Sequence, residues 1–542
     1  MERSLAEYAT TAPPKHHKLI VPMATATETY RHVNPWIVAI AVMFGTFMEV
    51  LDTTVVNVSL PHIAGSLSAS VDEAAWALTS YLVANAVVLP MTGWLASFFG
   101  RKRTLLTAVF GFTAASFLCG LAPSLKFLVV CRIIQGATGG CLQPLSQAVM
   151  LEAFRPEDRG KAMAFWGLGI VVAPMLGPVL GGWLTDNYSW RWVFYINIPV
   201  GLASVIMTRL FIFDPPYLRR ISRGIDFWGI GLLTVGVGAL QVVLDKGQEE
   251  DWFSTHWIAA LAFISVAAIG IFIFHELRSR NPVVHLSVFK SQTYSAGVAL
   301  MTMLGFVLYG AMLLLPVMLQ TLLGYSALEA GVAMAPRGLG SFLIMPLVGT
   351  VMTRFDPRKV LAAGLIGSSW SLFALAKLNL DAGYWDIFWP QFIQGACIAM
   401  VFVPLTTATM GPIAREEMGN ATSMFNLMRN IGGSVGIASA TTYLFRRQQF
   451  HTNVLAGHVN AASQQTQMML NGLQRTLIAR GADSHAAAQQ AYGAVWGMVL
   501  RQASMISFVD TFRAMGIVFL LVLPLVLIMR KPKQKGGGVA MH

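Results

Sequence analysis

Fourteen mainly apolar stretches recur along the chain, close to the roughly 20 residues that a helix needs to cross the hydrocarbon layer. They cover 35–60, 75–99, 104–122, 127–152, 162–185, 193–213, 227–243, 257–275, 292–318, 327–352, 360–378, 387–411, 420–445 and 507–529. Gly and Pro blur the bounds of the fifth to seventh and the tenth. Polar residues fall into short connections, with one exception. The segment 446–506 is rich in Gln, Ala and Asn and holds no spanning run. Within it Met468, Met469, Leu473 and Leu477 recur at helical spacing, which predicts amphipathic helix inside an otherwise solvated loop.

Basic residues sort into alternate connections. With a cytoplasmic N-terminus, the inside loops carry Arg101-Lys102-Arg103, then Arg219, Arg220 and Arg223, then Arg354, Arg358 and Lys359, and finally a tail from Arg530 to Lys535. The short outside loops hold little beyond Lys126, Arg191, Lys246 and Lys377. This asymmetry predicts both termini inside and an even number of spans. By parity, 446–506 lies outside.

The chain also repeats itself. Gly93 to Arg103 matches Gly349 to Lys359, and Ile133-Ile-Gln135-Gly136-Ala matches Phe392-Ile-Gln394-Gly395-Ala, at offsets of 256 and 259. Two six-helix halves with two spans inserted between them fit this repeat, and duplicated halves around a midplane site are how alternating-access carriers are built. The predicted plan is all-α and integral to the membrane. It has a cytoplasmic arm over 1–34, a first bundle over 35–213, inserted helices with linkers over 214–291, a second bundle over 292–530 and a basic tail over 531–542.

Composition agrees with the pattern. Of 542 residues, 55% are hydrophobic and 12% charged, about half the charged share of a soluble domain, which argues against a water-soluble enzyme. The net charge of +12 sits in loops that touch an anionic membrane face, not in a nucleic-acid surface. Cys119, Cys131, Cys141 and Cys397 form no CxxC pair and lie in apolar runs, as small buried hydrophobes do. No metal site is expected. The polar start, with Pro13, Pro14 and Lys15, lacks the apolar region of a cleavable signal and predicts a disordered arm. No HExxH, GxSxG or Walker-A sequence occurs, so nothing supports ATP hydrolysis by this chain.

Candidate chemistry concentrates in the first span, Glu49-Val-Leu-Asp52-Thr-Thr54-Val-Val-Asn57-Val-Ser59. Each intramembrane carboxylate costs about 2.5 kcal/mol or more to insert. Spaced three apart, the two share a helix face, and their mutual repulsion in a low dielectric suits a carboxyl that takes up and gives back a proton. The alternative is simple pairing with a base. Arg132 in the fourth span, permanently charged, is the natural counter-ion for Asp52. Arg337 and Arg429 are further intramembrane cations, which could instead hydrogen-bond backbone carbonyls at helix breaks. A central, mainly apolar cavity is expected, with Thr54, Asn57, Tyr81, Asn85, Gln135, Gln143, Asn426 and Arg429 as its polar lining. In the fifth span Pro174, Gly177, Pro178, Gly181 and Gly182 predict close approach to a neighbouring helix and a water-poor seal. Trp190 to Pro199 reads as an interfacial aromatic anchor.

These residues together resemble a known family. Asp52 to Pro61 is similar to the first-helix signature of the fourteen-span drug:proton antiporters of the major facilitator superfamily. Gly93, Gly100 and Arg101 fall in a stretch that looks like that superfamily's helix two–three loop motif. Arg132 to Gly140 looks like its helix-four motif, and Gly177-Pro178 with Gly181-Gly182 like its antiporter motif. Trp190 to Pro199 and Leu244 to Phe253 narrow the likeness to the EmrB/QacA-type branch. The resemblance implies proton-coupled export of hydrophobic or amphipathic drugs from the bacterial inner membrane, with no cofactor beyond the proton gradient. Asp52, aided by Glu49, would carry the proton and Arg132 would tune it. It also implies a periplasmic adaptor of EmrA type and an outer-membrane channel of TolC type. One position departs from the pattern: Ser97 stands where the loop motif usually has an acid, while Asp356, beside Arg358, sits at a different offset in the second half. Two alternatives stay open, a dedicated exporter of a metabolite such as a siderophore or fatty acid, and a transport-inactive scaffold or receptor.

Overall fold

A computed structural model describes residues 34–215, 225–279, 281–352, 355–460 and 463–529. The N-terminal arm up to residue 33, the basic tail, and Arg219, Arg220, Arg223, Arg280 and Arg354 lie outside the described residues. The first half comprises α1 (Pro35–Ser66), α2 (Val71–Val88), α3 (Thr92–Phe99), α4 (Arg101–Gly120), α5 (Leu125–Gly139), α6 (Leu142–Ala153), α7 (Arg159–Asn187), α8 (Trp192–Tyr195) and α9 (Asn197–Phe211). The inserted pair is α10 (Phe227–Lys246) and α11 (His256–Arg278). The second half holds α12 (Gln292–Thr321), α13 (Ala327–Val351), α14 (Pro357–Leu375), α15 (Tyr384–Met410), α16 (Met418–His458), α17 (Gln464–Ala479), α18 (Ser484–Val522) and α19 (Leu525–Ile528). Every predicted apolar stretch lies largely in helix, and no strand occurs among the described residues.

Among the described residues, twelve helical runs are long and apolar enough to cross a membrane. Helices α14 and α16 are not among them. The first opens on Arg358 and Lys359 and carries Ser368, Ser369 and Ser371; the second carries Asn420, Asn426, Arg429 and Asn430. Polar side chains of this kind belong against other helices, and most of these are buried.

The repeat is visible in the caps and in the packing. Ser70 and Ser326, at the same offset of 256 as Gly93 and Gly349, each close a capping box with Glu73 and Glu329 at the start of α2 and α13. The paired hydrogen bonds satisfy backbone donors that a helix start leaves free. Helix α2 packs on α5 as α13 packs on α15, α1 on α7 as α12 on α16, and α4 on α9 as α14 on α18. The repeat glycines mark the contacts between halves. A Cβ on Gly93 would lie 2.7 Å from the backbone nitrogen of Asn420, and one on Gly349 would lie 3.2 Å from the Cα of Lys161.

The inserted helix α10 lies against both halves. Thr79 of α2 donates to Asp245, while Gln241 donates to Ser434 of α16 at 2.8 Å and Trp252 to Thr442 at 3.0 Å. The linker that leaves α11 is pinned where α16 begins: the His285 N–H donates to the Asn420 side chain at 3.2 Å, and Asn420 donates back to the His285 carbonyl at 2.8 Å.

The described residues of 446–506 are mainly helical, beyond the amphipathic stretch expected there. Helix α16 runs on to His458, α17 follows, and α18 enters from Ser484 without a break into the last apolar run. Ala, Gln and Met are strong helix formers, and α17 rests on α18. Leu470, Leu473 and Leu477 are half-buried, whereas Met468 and Met469 point outward. The base of this extension is tied by Asp510, which accepts from Arg447 and lies 2.8 Å from the His451 ring nitrogen.

Candidate functional site: a polar network across the two halves

Asp52 and Glu49 both point into the protein, 1% and 3% exposed. Helix α1 is enclosed by α7, α9, α6 and α2, so neither carboxylate meets lipid. The Arg132 Nη1 donates to Asp52 Oδ2 at 2.6 Å. Two side-chain amides complete the shell on the other oxygen, Gln135 at 3.0 Å and Asn197 at 2.7 Å. The Arg132 Nε donates to the Ala77 carbonyl at 2.9 Å, and the guanidinium lies over the Tyr81 ring at 4.1 Å from its centre. A buried ion pair of this kind is held by its surrounding hydrogen bonds as much as by its own attraction, and removing one partner typically costs about 3–5 kcal/mol.

Glu49 lies in a different electrostatic setting. Its hydrogen-bond donors are neutral amides, Asn85 at 3.0 Å and Gln143 at 2.5 Å. The Gln143 amide reaches further, because its oxygen accepts from the Arg429 Nη2 on α16. One turn along α6, Gln147 accepts from Asn426 at 2.5 Å. A chain of side chains thus runs Asn85–Glu49–Gln143–Arg429 from the first half into the second. Arg429 meets this side-chain amide rather than the backbone carbonyls expected at a helix break.

Of the residues expected to line a cavity, Gln135 belongs to the Asp52 shell and Asn85 and Gln143 to the Glu49 shell. Asn426 and Arg429 face them across the interface, and Tyr81 stacks on Arg132. Asn57 stands apart and exposed, and Thr54 is half-buried against α7. Arg337 is buried, with its Nη2 unpaired among the described residues.

The glycine-proline helix contacts α1 beside this network. A Cβ on Gly177 would meet the Thr54 Cβ at 2.6 Å, and one on Gly181 the Val55 carbonyl at 2.8 Å. Gly182 faces open space. Close approach thus needs two of the three glycines. Ser59 and Thr185 continue the contact, 2.7 Å apart.

Between α3 and α4, Gly100 has φ +91° and a Cβ there would lie 2.7 Å from the Asp214 carboxylate, so only glycine fits. Arg101 pairs with Glu152 at the end of α6. Ser97 returns its hydroxyl to the Gly93 carbonyl at 2.9 Å. Asp356 caps its own helix through the Arg358 N–H at 3.1 Å.

Several participants were not singled out in the sequence. Asn197 sits in the Trp190–Pro199 stretch, read there as an interface anchor. In the structure Trp192 is exposed in that manner, while Phe194 and Asn197 are buried. An amide two residues before a proline at the start of an apolar run was the available signal. Gln147 was signalled by its spacing from Gln143. All four cysteines are buried and free.

A model of the Major Facilitator Superfamily matches residues 42–437. The chain is similar to the multidrug export protein EmrB of Escherichia coli strain K12, 37% identical over 506 residues that cover 93% of this chain and 96% of that one. It is as similar to the fatty acid resistance protein FarB of Neisseria gonorrhoeae, 37% identical over 502 residues, 92% of this chain and 97% of that one. In fold it resembles the human organic anion transporter MFSD10 (TETRAN), with a TM-score of 0.58 at 14% identity, covering 91% of this chain and 100% of that one. The apolar helices and these relatives place the protein in the bacterial inner membrane as a multi-pass protein. The chain belongs to the Major Facilitator Superfamily.

Proposed function

We propose that the protein is a proton-coupled multidrug exporter, with Glu49 as the carboxyl that exchanges its proton and the Asp52–Arg132 pair as the fixed element against which it works. The observation that carries this reading is the hydrogen-bond chain from Glu49 through Gln143 to Arg429. A proton on Glu49 changes the charge at one end of a link between the halves and so biases their relative position, which is what a carrier needs for population shift. Asp52 already faces a permanent cation and two amides. EmrB's name supplies the multidrug part of the reading. The fourteen-span count, with both termini inside, rests on the loop charges and the helices at each apolar stretch.

The helical extension of α16 to α18 supports a further part of the reading, an adaptor of EmrA type docked outside and a channel of TolC type beyond it. FarB's name keeps a dedicated fatty-acid exporter as the second reading.

Dye efflux in inverted vesicles tests the proposal. An imposed pH gradient should drive uptake of several unrelated dyes, and collapse of the gradient should stop it. Uptake that ignores the gradient would overturn proton coupling. Movement of fatty acids alone would favour the dedicated exporter.

A further inference from the structure

The linker that leaves α11 does more than join the inserted pair to the second half. Its Val283 and Val284 are each only 1% exposed. They pack into a cluster drawn from both halves, with Leu89 and Met91 from the first and Met424 and Leu427 from α16. Trp94 and Leu95 of α3 lie against the same cluster. Hydrogen bonds fix the linker there. The Asn420 amide takes both backbone groups of His285, accepting from its N–H at 3.2 Å and donating to its carbonyl at 2.8 Å. His285 shares a pocket with Gly93, Trp94 and Arg101 of the first half. Further on, Ser287 donates to Glu417 at 3.4 Å, and the Phe289 carbonyl accepts from Ser295 of α12 at 2.6 Å. This stretch is therefore tied to the second half while its side chains pack on the first.

The other end of the linker is anchored on the inserted pair by Glu276. This side chain is 5% exposed, and its Oε1 accepts from the Val283 N–H at 3.2 Å. A Cβ on Gly229 would lie 3.1 Å from the same oxygen, so the first turn of α10 closes on the carboxyl from the other side. The second oxygen is buried without a partner among the described residues. Burying an acid is costly, and Phe272 and Leu233 nearby would suit an apolar side chain. What the carboxyl supplies is an acceptor for a backbone N–H that must be satisfied once the linker is buried. Helix α10 in turn lies along α2 and is tied to it at Asp245.

We infer that residues 281–290 form a strap across the contact between the halves, anchored by Glu276 on one side and Asn420 on the other, and that Glu276 is a positioning residue for the movement of the halves. Parting the halves at Gly93 draws Val283 and Val284 out of their shared cluster and breaks the bonds at one anchor. The strap thus favours the state in which this contact is closed, and its release belongs to each transport cycle. This goes beyond the export reading above and holds whatever the cargo.

The test is a distance measurement on the full-length protein in lipid nanodiscs. Spin labels are placed on Arg103→Cys and Lys359→Cys, exposed residues at the ends of the two repeated loops; the four native cysteines are buried. Double electron–electron resonance reads the ratio of long to short separations. Glu276→Leu removes the acceptor and should raise that ratio roughly three- to tenfold, as loss of one or two hydrogen bonds does. Glu276→Gln keeps the acceptor and should stay near wild type, a rescue that separates anchoring from mere packing. Asn420→Ala should raise the ratio as Glu276→Leu does, and it covers the case in which Glu276→Leu does not fold. The double variant should shift no further than the larger single one, because a strap freed at one end holds nothing at the other. Unchanged ratios in the folded single variants, or shifts that add in the double one, overturn the strap.

Discussion

Gln143 accepts a hydrogen bond from Arg429 across the boundary between the halves, and the same amide donates to Glu49 at 2.5 Å. One neutral side chain therefore touches a buried acid of one half and a buried base of the other. Replacing it by Leu keeps the volume and removes both bonds. Two buried charged groups would each lose a partner, at about 1–3 kcal/mol for each unsatisfied group. Gln143→Leu should lower thermal stability and reduce gradient-driven dye uptake by an order of magnitude or more. Full uptake at equal expression would separate Glu49 from the motion of the halves.

The two carboxylates differ in what their loss leaves behind. Asp52→Asn strands Arg132 with no countercharge, a loss of about 3–5 kcal/mol for a buried pair, whereas Glu49→Gln replaces an acid among amides by another amide. Both variants should remain in the membrane and lose proton-coupled export. Melting of the purified proteins should rank Asp52→Asn well below Glu49→Gln. Equal melting would mean that the Arg132 contact adds little to the fold.

The contact between α1 and α7 has an internal control. Gly177→Ala places a methyl against Thr54, and overpacking of this kind costs about 1–3 kcal/mol. Gly182→Ala meets nothing within 4 Å. The first should destabilise the protein and let protons leak through vesicles without substrate, and the second should match wild type in both measurements.

Asp226 caps α10 at the membrane's edge. Burial pushes its carboxyl up, but the Gly229 N–H and the His275 ring outweigh that and hold it below the usual value. A depressed acid contributes stability above its unfolded pKa, about 3.9, and that contribution is lost as the pH falls through the lower folded value. Asp226→Asn should therefore weaken the fold at neutral pH and flatten the acid limb of the stability curve. A curve that keeps its acid slope in the variant assigns that slope to other groups.

How far the sequence reached follows from what each residue needs. Asp52 and Arg132 were legible as partners because a lone charge in an apolar helix is too costly to leave unanswered. Gly93 and Gly349 were legible as a repeat, and the structure gives both the same task at the contact between halves. Asn197 was hidden among aromatics that also suit an interface. The extension is legible only in part, through the helical spacing around Leu473 and Leu477, because Gln-rich helices in water carry no spanning hydropathy. The ties of α10 to Thr79 and Ser434 carry no local signal, since small polar residues in membrane helices are common.

Helix α16 is 41 residues long, about 60 Å at 1.5 Å per residue, twice the thickness of the hydrocarbon layer. Its first turn abuts Gly93 of the first half, its middle carries Arg429, and its far end leads toward α17, which rests on α18. Such a rod is a lever: a few degrees of tilt swings the distal tip through several ångströms. Whatever grips that tip would feel, mechanically and without any messenger, whether the contact at Gly93 is closed.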